Sequence, residues 1–297
     1  MPTEPIAALL DRDLSRVAAN EITAVTRPLL REIVNNGTNV YARCTASATG
    51  GESEDLAAPT LYLHMLQMTD AIEVLVYEGC VGGAIPNLRS SFEGLLGLEY
   101  VLEADYARRS LAWVAGILLS KLSDRARIDV EDLQSKPAQE VIGETLKRVA
   151  PIVKDDIRRW EGILNEPRMK PITDEVRRVK KWHAAFGGPA NLKQLAKSLG
   201  MEVHYELLYR QWSSVVHAGE LFRFLTRTKE GYAINSLREL TELKTVAHLA
   251  ALYLMQATRL MIDKYRTGED LRPWYLREVR PLMAKLDPRL PEIVDLG

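Results

Sequence analysis

The chain has 297 residues, 46% hydrophobic and 27% charged, the balance of a folded globular protein rather than a disordered one. Its 39 Lys and Arg against 40 Asp and Glu leave a formal net charge of −1, which excludes coating of nucleic acid by bulk positive charge but leaves room for a local basic patch. Two cysteines, Cys44 and Cys80, lack metal-type spacing and read as packed thiols of a reduced protein.

The N-terminus has no basic start and no apolar run of secretory type. Leu111–Leu122 and His248–Ile262, the most apolar segments, fall short of the ~20 apolar residues that cross a bilayer or carry polar groups inside. The expectation is a cytoplasmic protein that does not enter the membrane.

In chain order the hydrophobic pattern has period 3.6 and no sustained period of 2, so no strand is expected. From Pro5 to about Asn35 the chain reads as helix, kinked or split at Pro28, with Asn35-Asn36-Gly37 as a breaker. A further helical piece leads to the polar loop Thr49-Gly50-Gly51-Glu52-Ser53. Pro59 suits the first turn of a long helix through Tyr77, since its missing N–H is not needed there. Gly79, Gly82 and Gly83 are expected to end that helix and Pro86 to begin the next. Ala104 to Arg127 continues as one or two helices, and Gln134–Pro137 marks a boundary. Amphipathic helices are expected at about 138–149 and 151–164, with the least regular stretch at 166–190. Helices resume at about 190–199, 201–217 and 236–266, and a shorter one follows Pro273. The fold class is all-α, a multi-helix bundle forming a single domain over 1–297. Its core bundle is expected at about 59–127 and 201–266, with N-terminal helices at 1–48 and a charged helical insertion at 130–200.

Two polar constellations sit in apolar helices. The first is Arg89-Ser90-Ser91-x-Glu93, where Arg89 and Glu93 are i, i+4 neighbours among Leu88, Phe92, Leu95 and Leu96. Burying such a pair is a poor stability device, because desolvation can outweigh the attraction, so it either fixes helix register or orients something else. The second is Tyr209-Arg210-x-x-Ser213-Ser214-x-x-His217. At ~100° and ~1.5 Å per residue, Arg210 and His217 share a helix face ~10 Å apart, with Ser213 between them. Ala218-Gly219 suggests a helix end, where the dipole favours imidazolium at His217.

Together, R-S-x-F-E and Y-R-x-x-S-x-x-V-H-A resemble a widespread family of helical bacterial proteins known only as a domain of unknown function, over roughly residues 60–265. The later motif is also similar to the R-x(4–6)-H signature of the HEPN superfamily, helical proteins of toxin–antitoxin and phage-defence systems, many of them metal-independent ribonucleases. HEPN domains are often much shorter than this chain. That resemblance implies RNA as substrate, a homodimer, an antitoxin or other partner protein, and no metal or cofactor. It implies that Arg210 holds the scissile phosphate and His217 moves a proton, with Glu93, Arg89 or Ser213 orienting the imidazole. Glu93 then belongs with the catalytic residues, and Arg89, Ser213 and Tyr209 with the substrate-binding ones.

Two other functions compete. In a non-catalytic scaffold or partner-binding protein, the same polar groups would lock the core. In a metal-dependent oxygenase, Glu93, His217 and Glu220 would hold the ion. That second reading lacks the paired Glu-x-x-His, since no Glu stands three residues before His64, His183, His204 or His248. The basic run from Glu175 to His183 reads as a solvated helix face sooner than an RNA contact, and Met65, Met68, Trp113, Tyr253 and Met255 read as packing.

Overall fold

The computed structural model describes residues 4–7, 9–48, 53–126, 152, 154–210, 212, 225–229, 231–238 and 240–287. They are overwhelmingly helical, an all-α multi-helix bundle. The expected boundary at Gln134–Pro137 and the helix at 138–149 lie outside the described residues. The chain forms two compact units: residues 1–50, 58–102 and 196–297, and residues 51–57 and 103–195.

The first unit begins with α1, Arg12–Ser47, a continuous 36-residue helix. Asp11 caps it, its carboxylate accepting from the Leu14 N–H at 2.8 Å. Neither expected interruption occurs. Pro28 and Ala24, whose carbonyl loses its N–H partner, both lie on the exposed side, where water can satisfy that oxygen. Gly37 is buried within the stripe Leu30, Val34, Gly37, Val40 and Cys44, so it serves close approach rather than termination. A Cβ at Gly37 would lie 2.6 Å from Leu66 Cδ2 and 3.0 Å from the Tyr62 hydroxyl.

Helix α2, Ala57–Tyr77, carries Pro59 in its first turn, as the sequence predicts. It ends in a Schellman cap: Gly79 takes φ +72°, and the N–H groups of Gly79 and Cys80 reach Val76 O and Leu75 O at 3.0 and 2.7 Å. Only Gly79 of the three expected glycines ends this helix. Gly82 and Gly83 fall inside the first turn of α3, Val81–Glu103, and Pro86 lies within α3 rather than at its start. Pro86 faces solvent, which again leaves the freed carbonyl to water.

Arg27 ties α1 to α2 by donating to the buried Glu73 at 2.8 Å while its guanidinium lies 3.5 Å from the Tyr77 ring centre. Helix α9, Leu243–Tyr265, packs along α1. Tyr62 of α2 hydrogen-bonds Thr258 of α9 at 2.8 Å. Tyr62, Tyr253, Leu29, Leu30, Ile33, Met65, Leu95 and Leu96 are among the largest fully buried side chains. Burying each such group contributes about 1.5–3 kcal/mol. Met65, Tyr253 and Met255 are core residues, as expected, and Cys44 is a buried free thiol whose pKa burial pushes up to about 11.

In the second unit, α4 (Tyr106–Ala126), α5 (residues 154–164) and the start and body of α6 (Lys170–Val179) supply the core Leu111, Ala115, Leu118, Leu164, Met169, Ile172 and Val176, and α7, Leu192–Ser198, follows in the chain. The stretch expected to be irregular thus contains a helix, because Pro171 stands in the first turn of α6, where a missing N–H costs nothing. In the basic run, Arg177 and Arg178 pair with Asp174 and Glu175 at 3.5 and 2.6 Å. Trp182 packs onto Gly116, and His183 is buried with Nδ1 2.7 Å from Pro189 O.

Back in the first unit, α8 (Glu202–His204) runs into a π-helical turn at Tyr205–Tyr209. Against the expectation of no strands, an antiparallel hairpin pairs β1, Leu225–Thr228, with β2, Gly231–Ile234. Each strand has four residues, too short for its alternation to stand out from a helical pattern. Helix α9 starts at Leu243, later than predicted. Beyond it, α10 (Arg272–Trp274), a π-helical turn at Tyr275–Val279 and α11 (Arg280–Leu286) pack against α1 in part.

Candidate functional site

The first polar constellation meets Tyr209, the first residue of the second, within the first unit. Tyr209, one residue before Arg210, reaches from the π-helical turn to α3. Its hydroxyl donates to Glu93 Oε1 at 2.7 Å and accepts from Arg89 Nη2 at 2.7 Å. Arg89 Nε also lies 3.4 Å from Glu93 Oε1, and the guanidinium stands 4.4 Å from the Tyr209 ring centre. The side chain of Arg89 is 19% exposed and that of Glu93 45% exposed, so the cluster has a half-buried cationic end and a carboxylate that water reaches. Burial, then the bond to Glu93, pushes the Tyr209 hydroxyl up to about 12, which keeps it protonated at neutral pH as the donor that Glu93 requires.

Local structure explains the convergence. At i, i+4 spacing Arg89 and Glu93 occupy one row of α3. On the other side, the π-helical turn widens the backbone so that the Arg210 N–H bonds to Tyr205 O, and the rings of Tyr205 and Tyr209 stack at 5.1 Å and 21°. Single π-helical turns occur often at functional sites. Phe92 underlies the group, with ring centres 5.9 Å from Tyr209, 6.3 Å from His204 and 5.4 Å from Tyr253. His204 Nδ1 is 3.1 Å from the Tyr253 hydroxyl, and burial lowers the imidazole pKa.

Arg210 stands apart from this cluster. Its side chain is 75% exposed and donates to Glu206 at 3.3 Å, one turn back. Ser213 and His217 lie outside the described residues, as does Glu220. Among the predicted site residues, the structure therefore brings together Arg89, Glu93 and Tyr209, and places Arg210 on the adjacent surface. The sequence reading weighed His64 only as a Glu-x-x-His ligand; its Nε2 lies 2.9 Å from Ser90 Oγ. No spacing within one helix could have signalled that pair, because His64 belongs to α2 and Ser90 to α3.

Among the described residues no group of three or more His, Cys, Asp and Glu could hold a metal ion. Of the Glu93 carboxylate, Oε1 is engaged by Tyr209 and Arg89. Nor, among the described residues, is any helix long and apolar enough to cross a membrane.

What these features define is an all-helical protein with an Arg–Tyr–Glu cluster joining two of its helices. Residues 55–232, more than half of the chain, match a family of unknown function (DUF5677), and the chain belongs to that family. The matched span includes both constellations, whereas α1 and α9 lie outside it. No curated protein and no solved structure matches the chain.

Proposed function

We propose that the protein is a HEPN-like, metal-independent ribonuclease. Arg210 binds the scissile phosphate of RNA, and His217 transfers a proton to or from the ribose 2′-hydroxyl or the leaving oxygen. The observation that carries this reading is the anchoring of Tyr209 by both Arg89 and Glu93. It fixes the start of the R-x6-H segment and leaves the neighbouring guanidinium of Arg210 on the surface. A solvent-facing guanidinium on a braced helix suits recognition of a phosphate. The resemblance adds a homodimer and a role as a toxin or in phage defence with an antitoxin or other partner protein; the cytoplasmic setting is the expectation drawn from the sequence. Purified protein incubated with total RNA in EDTA is expected to cleave it, and His217→Ala to stop the cleavage. Intact RNA under every condition would overturn the reading.

A second reading, the non-catalytic scaffold, draws on one observation: the Tyr209 hydroxyl has both a donor and an acceptor satisfied within the protein. A cluster complete in itself needs no ligand to lock α8 onto α3. On either reading Tyr209→Phe is expected to lower stability by about 1–3 kcal/mol, toward the lower end because water can reach Glu93. A shift in the urea midpoint would check this. Only the scaffold reading expects changes at Arg210 and His217 to leave RNA metabolism untouched.

A further inference from the structure

Neither reading gives a role to Tyr205, which opens the π-helical turn. We propose that Tyr205 is a stacking platform for one unpaired RNA base whose phosphate Arg210 holds. The inference rests on the ribonuclease reading for its choice of RNA as ligand. It adds a base-binding residue that the motif does not contain, and it involves no catalytic step.

The π-helical turn sets the spacing. The Arg210 N–H bonds to Tyr205 O, so this turn closes over five residues instead of four. On a regular helix, residues five apart at ~100° each would point ~140° away from one another. Here residue 210 follows one turn above residue 205, as i+4 follows i on an α-helix, and the two side chains become neighbours. One helical turn, ~5.4 Å, is comparable with the span between a base and its own phosphate. Tyr209 sets the orientation. The Tyr205 ring stacks on Tyr209 at 5.1 Å and 21°, and the Tyr209 hydroxyl is held by Arg89 and Glu93 at 2.7 Å each. One face of Tyr205 is thus laid against a ring locked to α3.

What remains open on Tyr205 suits a base. Among the described residues it contacts no other ring and its hydroxyl makes no hydrogen bond, and the side chain is half-buried. An aromatic face already fixed in direction takes up a base with little further loss of side-chain freedom. Beside it, the Arg210 side chain is 75% exposed and gives one nitrogen, Nη1, to Glu206 at 3.3 Å. A guanidinium has five N–H donors, so it can keep Glu206 and still donate to a phosphate. A nucleotide offers both matching chemistries, a flat π face and an anion. Inside a duplex each base is covered on both faces by its neighbours, so this pair selects single-stranded RNA.

The test measures binding by the full chain, apart from cleavage. The probe is a short, fluorescently labelled single strand of 2′-fluoro RNA, which lacks the 2′-hydroxyl and cannot be cut through it. An abasic strand of equal length is the comparison, and anisotropy is the readout. Tyr205→Ala is expected to weaken binding of the base-bearing strand about 5–150-fold, the worth of one base–aromatic stack, and to leave the abasic strand unaffected. Tyr205→Leu, which keeps apolar bulk, should show the same loss, and Tyr205→Phe should bind like the wild type. Arg210→Ala should weaken both strands and reduce the log–log salt slope by about 0.7, one phosphate contact on a single strand, whereas the Tyr205 variants keep the wild-type slope. Wild-type affinity in Tyr205→Leu overturns the inference, as does an equal loss on the two strands, or a wild-type protein that binds no strand or prefers duplex. The ribonuclease reading fails separately, by intact RNA in the cleavage assay, and a strand bound with the expected pattern would still establish the platform.

Discussion

Arg210→Ala is expected to reduce RNA cleavage about 10²–10³-fold, the loss seen when one preorganised contact to developing charge is removed, while leaving the protein as stable as before. The two halves of that expectation rest on the same geometry. Arg210 has a 75% exposed side chain and pairs with Glu206, one turn back on the same helical segment. Exposed i, i+4 pairs contribute about 0.3–0.5 kcal/mol, so the urea midpoint should barely move. Arg89 is the internal comparison: with 19% exposure and bonds to Tyr209 and Glu93, its loss should affect folding as well as any activity. Arg210→Lys separates charge from shape. A lysine keeps the charge but not the planar fork, so a bidentate phosphate contact would be only partly restored. Wild-type cleavage by Arg210→Ala would remove Arg210 from the site, and with it the HEPN-like assignment.

The helical class was legible because the apolar positions repeat at 3.6 residues through α2, α3 and α9, and those positions became the core around Tyr62, Leu95 and Tyr253. Helix ends were less legible where proline or glycine had a tertiary role. Pro28 and Pro86 do not break their helices because each faces solvent, and Gly37 is a contact point rather than a stop. None of this is local information. A glycine between two asparagines reads as a turn until a second helix is known to lie against it.

The site was legible in the same uneven way. Arg89, Glu93 and Tyr209 could be singled out separately, because charged and polar groups within apolar helices require a partner. That they satisfy one another depends on a contact between residues 116 positions apart, and no helical periodicity encodes it. The contact of His64 with Ser90 was invisible for the same reason, since Ser90 stands on another helix. The π-helical turn at Tyr205–Tyr209 also departs from ideal helical phase, so a face argument drawn across it does not hold.

Gly37→Ala tests the packing of α1 directly, because two established effects have opposite signs there. In an exposed helix interior, replacing glycine with alanine stabilises by about 1 kcal/mol through lost chain entropy in the unfolded state. At this position the new methyl would start 2.6 Å from Leu66 Cδ2 and 3.0 Å from the Tyr62 hydroxyl. Leu66 is 4% exposed and Tyr62 fully buried, with its hydroxyl bonded to Thr258, so neither has open space to retreat into. Overpacking of this kind costs about 1–3 kcal/mol, and more for valine, whose two branches face the same wall. The net expectation is a loss of about 1–2 kcal/mol for Gly37→Ala, read as a lower urea midpoint at unchanged slope. Leu66→Ala alone should cost about 2–5 kcal/mol by leaving a cavity. Combined with Gly37→Ala it should cost less than the sum, since the alanine methyl enters the space that leucine vacates, a coupling of about 0.5–3 kcal/mol. A raised midpoint for Gly37→Ala would mean that the residue is not pressed against α2. In that case α1 would not run through Asn35-Asn36-Gly37 against Tyr62 and Leu66, and the core described for the first unit would be wrong at that crossing.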